Sequence, residues 1–207
     1  MENIMIFFSK GGIVMYPLLL SSIIALAIVV EKTISLRKRK VVIPEITSIL
    51  DNIKSKEDIG LATSICNKYS GPFANIIKAG LENKDLPREE IKEILVDNGK
   101  QEVHKIEKGL PILETIGGIA PLLGLLGTVI GILKVFNVIH MMGVGQAPAM
   151  AGGISEALIT TVVGLSVGIP SVVAYNYFTS KSEGLILEIE KYSTKLLNKI
   201  SSFSGKN

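Results

Sequence analysis

A chain of 207 residues that is 47 % hydrophobic and 20 % charged is more apolar than a typical soluble domain, in which about 25 % of residues are charged. Its net charge of +3 is compatible with binding to nucleic acid. However, the chain lacks Trp and has no basic stripe interleaved with stacking residues, which argues against nucleic acid as a partner. A single cysteine, Cys66, excludes an internal disulfide, and two distant histidines, His104 and His140, predict no metal site. The apolar residues gather in three blocks, which indicates a lipid bilayer as the solvent.

The first block runs over residues 11–30 without a charge. A helix of that length spans about 30 Å, the thickness of a hydrocarbon core. A cleaved signal peptide is the alternative, but it carries its positive charge before the apolar run. Here only Lys10 precedes the block, whereas Lys32 and residues 37–40 follow it. The sequence therefore predicts a retained first helix with its amino end outside the cell.

The other two blocks are separated by a short uncharged stretch. Residues 115–133 lie between Glu114 and Lys134, and residues 157–178 follow Glu156. Of the 22 Lys and Arg residues, 15 lie in residues 31–110 and five follow residue 178. Basic residues concentrate on the cytoplasmic side of membrane proteins, so both segments are predicted to be cytoplasmic.

These features predict an all-α integral membrane protein with three transmembrane helices, extended by a cytoplasmic helical bundle. Its amino terminus is predicted to lie outside the cytoplasm and its carboxyl terminus inside it. The predicted segments are the periplasmic amino terminus (1–10), the first transmembrane helix (11–30), a cytoplasmic helical loop (31–110), the second transmembrane helix (111–139), a short periplasmic loop (140–153), the third transmembrane helix (154–178) and a cytoplasmic carboxyl-terminal helix (179–207).

Apolar residues at helical spacing predict four short helices in the cytoplasmic loop and one in the tail. Their stripes are Ile46, Ile49, Leu50 and Ile53; Ile59, Ala62, Ile65, Cys66 and Tyr69; Phe73, Ile76, Ile77 and Gly80; Ile91, Ile94, Leu95 and Asn98; and Leu185, Ile189, Tyr192, Leu196 and Ile200. The sequence contains no phosphate-binding loop, metal-ligand cluster or nucleophile elbow. These parts therefore predict core packing and no catalytic site, and the protein is not expected to be an enzyme.

Small residues are concentrated in the second and third transmembrane helices. The candidate packing positions are Gly124, Gly127, Gly131, Gly164 and Gly168. Helices in lipid approach closely only where small residues lie at the contact. The pattern fits packing within one subunit and packing between subunits.

Two charged side chains flank the predicted outer ends of these helices. Glu156 is either a helix-start carboxylate favoured by the helix dipole or part of an aqueous path for ions. Lys134 either extends to the outer membrane interface or forms an ion pair with Glu156. Lys134 is thus a candidate charge at the mouth of a pore.

Three threonines and one proline interrupt the apolar character of the same helices. Thr160 lies one turn from Glu156 on nearly the same face, Thr161 is rotated about 100° further, and Thr128 lies in the middle of the second helix. Their hydroxyls either bond to backbone carbonyls of their own helix or line a polar path. Pro170 is predicted to kink the third helix or to leave the Ser166 carbonyl unpaired.

Two stretches resemble the MotA/TolQ/ExbB proton-channel family, and within it the ExbB/TolQ branch. Residues 115–132 read TIGGIAPLLGLLGTVIGI, similar to that family's segment in the second helix. Residues 153–165 read GISEALITTVVGL and are followed by Ile169-Pro170 and Tyr175-Asn176, similar to the segment of the third helix. The resemblance covers nearly the whole chain.

The resemblance implies a pentamer around a central pore, occupied by a dimer of a single-span ExbD- or TolR-like partner that carries the protonated acidic residue. It also implies a location in a bacterial inner membrane, with a periplasmic amino terminus and a cytoplasmic carboxyl terminus, and it allows a TonB-like protein as a further partner. Thr128 and Thr161 match the pore-lining threonines, and Glu156 matches the glutamate of the third helix. The helical wheel instead places Thr160 below Glu156, so both threonines are candidates. Lys134 departs from the expected uncharged residue.

The function expected from this resemblance is conversion of the proton-motive force into mechanical work on the partner, with protons as the coupling ion and no cofactor. Energising TonB-dependent import through the outer membrane is the first expectation. A TolQ-like envelope-integrity motor, a gliding motor and a non-conducting scaffold are alternatives, and sodium is an alternative coupling ion. A secondary transporter is disfavoured because three helices lack an inverted repeat.

Overall fold

In the computed structural model, residues 11–53, 55–143 and 145–204 are described, and within them the chain is helical with no strand. The helices are α1 (Met15–Ser35), α2 (Lys38–Val41), α3 (Pro44–Asn52), α4 (Lys56–Cys66), α5 (Pro72–Glu82), α6 (Arg88–Glu107), α7 (Leu110–Met142) and α8 (Ala147–Ser204). By length and composition, α1, α7 and the Ala147–Phe203 part of α8 are able to cross a membrane. The prediction of an all-helical protein with three candidate membrane spans is confirmed. The predicted segment 1–10 lies outside the described residues.

The link between the second and third long helices is shorter than the predicted loop of residues 140–153. Helix α7 continues to Met142, and α8 already begins at Ala147. Gly143 ends α7 with a φ of +77°, a conformation that favours glycine. Pro148 suits the first turn of α8. The N–H groups of a first turn have no acceptor within the helix, so the N–H that proline lacks costs no hydrogen bond there. Packing extends the helix through Gly153, since a Cβ there would lie 2.7 Å from Val135 Cγ2.

The first predicted span also begins later than expected. Residues 11–14 form a turn before α1, and Gly12 within it has a φ of +67°. At its other end α1 continues past residue 30 to Ser35, and α8 continues past residue 178 to Ser204. The helical bounds therefore differ from the predicted segment bounds, while the membrane boundaries stay predictions.

The chain divides into two compact units. The first unit contains residues 11–30 and 109–177, and the second contains residues 31–108 and 178–204. In the first unit large apolar side chains point outwards: Leu122, Leu125 and Phe136 are each about 60 % exposed. This exposure suits a lipid-facing surface, because lipid tails solvate such side chains.

The second unit has an interior of large apolar side chains. In it α5 packs against α6, α4 against α5, and α3 against α4. Fully buried members are Leu36, Ile46, Leu50, Phe73, Ile76, Ile77, Leu81, Ile91 and Leu196. Phe73 meets Tyr192 of α8 edge to face, with the ring centroids 5.7 Å apart. The helices predicted from apolar stripes are present, and their location in the cytoplasm stays a prediction.

A buried lysine joins the end of α1 to the end of α6 within this second unit. Lys32 is 2 % exposed, and its Nζ donates a hydrogen bond of 3.0 Å to the carbonyl of Ile106. Ile106 is in the last turn of α6, where carbonyls lack partners within the helix. The ammonium therefore caps α6, and its positive charge interacts favourably with the negative end of the helix dipole.

Candidate ion-path site

Glycines hold α7 and α8 in close contact along the first unit. A Cβ built on Gly124 would lie 3.3 Å from the Cα of Gly164, and one built on Gly164 would lie 2.7 Å from the carbonyl oxygen of Ala120. A Cβ on Gly131 would lie 2.6 Å from the carbonyl oxygen of Gly153. Each contact is with backbone, so no side chain could make room by rotating. The two helices approach this closely because glycine lies at the contact.

The close approach continues to the two charged residues of the site. Lys134 of α7 follows Gly131 by about one turn, and Glu156 of α8 follows Gly153 by about one turn. Lys134 Nζ lies 2.6 Å from Oε1 and 2.7 Å from Oε2 of Glu156, so it donates to both carboxylate oxygens. Of the two alternatives for Lys134, the structure shows the ion pair.

The two members of this pair differ in exposure. The Glu156 side chain is 14 % exposed, whereas that of Lys134 is 52 % exposed. The carboxylate is thus held inside the unit and its cation lies on the outer side of the contact. An ion pair on two helices of membrane-spanning composition is the kind of polar group that is costly in lipid and marks an ion or substrate path.

Gly12, which the sequence reasoning missed, supplies a third wall of the site. A Cβ built on Gly12 would collide with Glu156 Oε1 and lie 2.9 Å from its Cδ. The turn before α1 therefore covers the carboxylate with backbone and leaves no space for a side chain. The Gly11-Gly12 pair that begins the first apolar block was a signal in the sequence, and it did not specify a partner.

The three candidate threonines have different surroundings. Thr160 is fully buried and packs onto Gly127, and its hydroxyl donates to the carbonyl of Ala157 at 2.9 Å. Thr161 is half-buried and donates to the same carbonyl at 3.2 Å. Thr128 is half-buried and donates to the carbonyl of Leu125 at 2.6 Å. All three hydroxyls bond to their own helix, and only Thr128 and Thr161 retain exposed surface.

The remaining predicted positions also lie between α7 and α8. A Cβ on Gly168 would lie 2.6 Å from Cγ of Pro121, so the ring of this proline packs into the space that glycine leaves. Gly124, Gly127, Gly131, Gly164 and Gly168 are all used within the chain, so they carry no argument for contacts between subunits. Helix α8 continues through Pro170, and a bend there stays a prediction.

The described residues contain no cluster of three or more His, Cys, Asp or Glu that could hold a metal ion. Cys66 is 1 % exposed in the second unit. Burial raises the pKa of its thiol to about 11, and the nearby Lys78 ammonium lowers it in part. A thiol in this environment is protonated at neutral pH and is a poor nucleophile.

Three helices of membrane-spanning composition and a covered ion pair between two of them define a helical membrane protein with a polar site inside its first unit. Residues 68–191 match the MotA/TolQ/ExbB proton channel family, and this range includes α7 and about the first three quarters of α8. The chain belongs to this family. Its members are transport and channel subunits rather than a family of catalysts.

Several proteins of the ExbB/TolQ branch are similar to this chain. The biopolymer transport protein ExbB homolog of Methanothermobacter thermautotrophicus is 34 % identical over 185 residues, which cover 88 % of this chain and 65 % of that protein. The ExbB-like protein 1 of Synechocystis is 34 % identical over 182 residues, covering 84 % of this chain and 69 % of that protein. The Tol-Pal system protein TolQ of Pseudomonas aeruginosa is 44 % identical over 86 residues, covering 42 % of this chain and 37 % of that protein. The chain thus spans less than two thirds of the first of these relatives.

Proposed function

We propose that this chain is the subunit of a proton-driven motor that converts the proton-motive force into mechanical work on a single-span partner. The observation that carries the proposal is the Glu156 carboxylate, which is 14 % exposed in a helix long and apolar enough to cross a membrane. Ionisable groups in such helices are costly and are characteristic of ion paths. Membership of a proton channel family supports the same conclusion.

The working assembly is a pentamer in a bacterial inner membrane, with its pore occupied by an ExbD- or TolR-like dimer. Among the described residues, one chain provides three candidate membrane spans, α1, α7 and α8, and the proposed pore lies between several copies. The partner supplies the carboxylate that is protonated and released during each step. The loop 31–110 and the carboxyl-terminal part of α8 are cytoplasmic, as the distribution of basic residues favours.

The pore surface uses the polar residues of α7 and α8 that retain exposed area. Thr128 and Thr161 line it, and Glu156 with Lys134 forms the polar group at its outer end. Thr160 is kept out of this path because it is fully buried against Gly127. It acts as a packing residue between the two helices.

The energy available is adequate for such a motor. One elementary charge that crosses 100 mV releases about 2.3 kcal/mol, so a few protons per step release several kcal/mol. Energising TonB-dependent import is the proposed task, since relatives named for biopolymer transport match most of the chain. A TolQ-like envelope task is a second candidate, favoured by the 44 % identity to TolQ over 86 residues.

Proton uptake by vesicles tests the proposal. The chain is co-expressed with the single-span protein encoded beside it, and the complex is reconstituted with a pH dye inside and an imposed membrane potential. We expect uptake by the native complex and its loss in Glu156→Gln, which keeps the size of the side chain and removes the charge. Glu114→Gln is the matched control, because Glu114 is an exposed carboxylate on α7 outside the site.

The native mass of the gently extracted complex tests the assembly separately. Five copies of this chain with two copies of the partner are expected. A complex of that composition without potential-driven proton uptake would support the non-conducting scaffold. A monomer, or an assembly without the partner, would contradict the central-pore mechanism.

A further inference from the structure

The Glu156 carboxylate already holds a cation that belongs to the chain. Both of its oxygens accept from Lys134 Nζ, at 2.6 and 2.7 Å, and the backbone of Gly12 covers it on the side of α1. The residues next to Glu156 in α8, Ser155 and Ala157, are uncharged. Lys134 is therefore the charged group that faces Glu156 among the described residues packed around it.

Without that ammonium, the site would have the chemistry of a small cation site. A carboxylate with hydroxyl and carbonyl oxygens about one turn away on the same helix is the kind of oxygen set that binds hard cations. On α8 the candidate oxygens are the Thr161 hydroxyl, which retains exposed surface, and the Ala157 carbonyl, to which it donates at 3.2 Å. Ion paths select monovalent cations by replacing the hydration shell with such oxygens.

We propose that Lys134 makes the path selective for protons over sodium, because its ammonium occupies the position at Glu156 that a sodium ion would take. This inference rests on the proposed ion-conducting function. A sodium ion must displace the ammonium to reach both carboxylate oxygens. A proton forms one O–H bond to one oxygen, while the ammonium keeps its own protons and its contact with the other oxygen. The tethered cation therefore excludes sodium without closing the path to protons.

In this proposal Lys134 acts through its positive charge at the Glu156 carboxylate. One variant that removes this charge and one that keeps it therefore measure the effect of the charge. Lys134→Met removes the charge and keeps an unbranched chain, whereas Lys134→Arg keeps the charge. In vesicles that contain the complex with its partner, sodium uptake under an imposed potential is measured in sodium chloride, with choline chloride as the reference salt. Sodium uptake by Lys134→Met is expected to exceed that of the native complex by at least about tenfold, a change at the low end for loss of a close charge pair. Lys134→Arg is expected to exclude sodium as the native chain does.

A binding measurement that requires no conduction accompanies the flux. The thermal unfolding temperature of the detergent-extracted complex should rise with sodium chloride, relative to choline chloride, in Lys134→Met and not in the native chain, because a bound ion stabilises the state that binds it. The double variant Lys134→Met with Glu156→Gln should lose this rise, since it lacks the carboxylate.

Each outcome separates this inference from the proposed function. A native complex that takes up no protons overturns the proposed function, and the selectivity role with it. A native complex that takes up protons, beside a Lys134→Met complex that assembles but gains neither sodium uptake nor sodium-dependent stability, overturns the selectivity role alone. Native sodium uptake equal to that of Lys134→Met does the same. If every charge-removing variant failed to assemble while Lys134→Arg assembled, Lys134 would be a structural residue and the selectivity role would be overturned.

Discussion

The contact between α7 and α8 in the first unit and the interior of the second unit are made by different kinds of residue. In the first unit the contact between α7 and α8 is made by glycines, and large side chains such as Leu125 and Phe136 lie outside. In the second unit the interior is filled by large side chains such as Leu50 and Leu196, together with the buried Lys32 and Glu102. The first unit thus brings α7 and α8 together through the smallest residue, and the interior of the second unit is filled by large ones.

The difference follows from the two solvents. In water, burial of a large aliphatic side chain contributes about 1.5–3 kcal/mol, so such residues fill the interior. In lipid a leucine gains little by burial, because the hydrocarbon tails are as apolar as the interior. Close backbone contact and dispersion then decide the packing, and glycine permits both. Substitutions matched between the units test this explanation.

The largest effect is expected at the glycine contact. Gly164→Leu places a side chain where even a Cβ would lie 2.7 Å from the carbonyl oxygen of Ala120 and 2.9 Å from the Cα of Gly124. Both neighbours are backbone, so α7 and α8 must separate, at a cost above about 3 kcal/mol. We expect the folded complex not to accumulate, as measured by its yield in size-exclusion chromatography.

Gly118 provides the control for this substitution. It also lies in α7, but a Cβ there would meet nothing within 4 Å. Gly118→Leu should therefore leave the yield close to that of the native chain. Equal losses in both variants would show that α7 rejects any large residue, and the contact with α8 would not explain the role of Gly164.

The second unit should respond to the opposite change, from large to small. Leu196 is 0 % exposed, and Leu196→Ala should destabilise the unit by about 3 kcal/mol through lost burial and the cavity left behind. Leu187 is on the same helix and 65 % exposed, so Leu187→Ala should change stability by less than about 0.5 kcal/mol. Thermal unfolding of the two variants in detergent measures both values. Similar shifts for both would contradict a water-type core in this unit.

Cys66 gives this core a pH dependence. Burial raises the pKa of its thiol from 9.0 to about 11 in the folded chain, with Lys78 opposing the rise in part. Between these two pH values the thiol is ionised more often in the unfolded chain than in the folded chain. Its contribution to the free energy of unfolding is therefore complete below pH 9 and is lost as the pH rises towards 11. The loss from this group is up to about 2.5 kcal/mol.

Denaturant unfolding at a series of pH values between 8 and 11 measures the slope, with Cys66→Ala as the control. The control should lose the part of the slope that the thiol contributes, whatever its absolute stability. Identical slopes for the native chain and Cys66→Ala would show that the thiol ionises equally in both states. The folded chain would then not bury Cys66 as the structure describes.

The sequence predicted most of the helices and part of the site. Periodic apolar residues such as Leu50 and Leu196 indicate helices because each stripe must be buried on one side. The pairing of Lys134 with Glu156 was one of two alternatives, since spacing within one helix does not specify the neighbouring helix. Gly12 beside Glu156 and Lys32 on the Ile106 carbonyl were not predicted, because both depend on contacts distant in the chain. Helix α8 begins at Ala147, inside the segment 140–153 predicted as a loop, and it includes Gly152 and Gly153 in spite of their low helix propensity.

The smallest effect is expected for an ion pair in the second unit whose N–O distance is close to that of the pair in the first. Lys195 Nζ lies 2.7 Å from Asp51 Oδ1, but the two side chains are 41 % and 48 % exposed. Water and salt screen this pair, so Asp51→Asn should cost less than about 0.5–1 kcal/mol, and less still in high salt. Thermal unfolding at low and high sodium chloride measures this change. Glu156, with 14 % exposure, has no comparable screening, so a similar distance has a different consequence there. A large, salt-independent loss of stability in Asp51→Asn would show that exposure does not distinguish the two ion pairs. The proposed difference in solvent between the two units would then not extend to their charged residues.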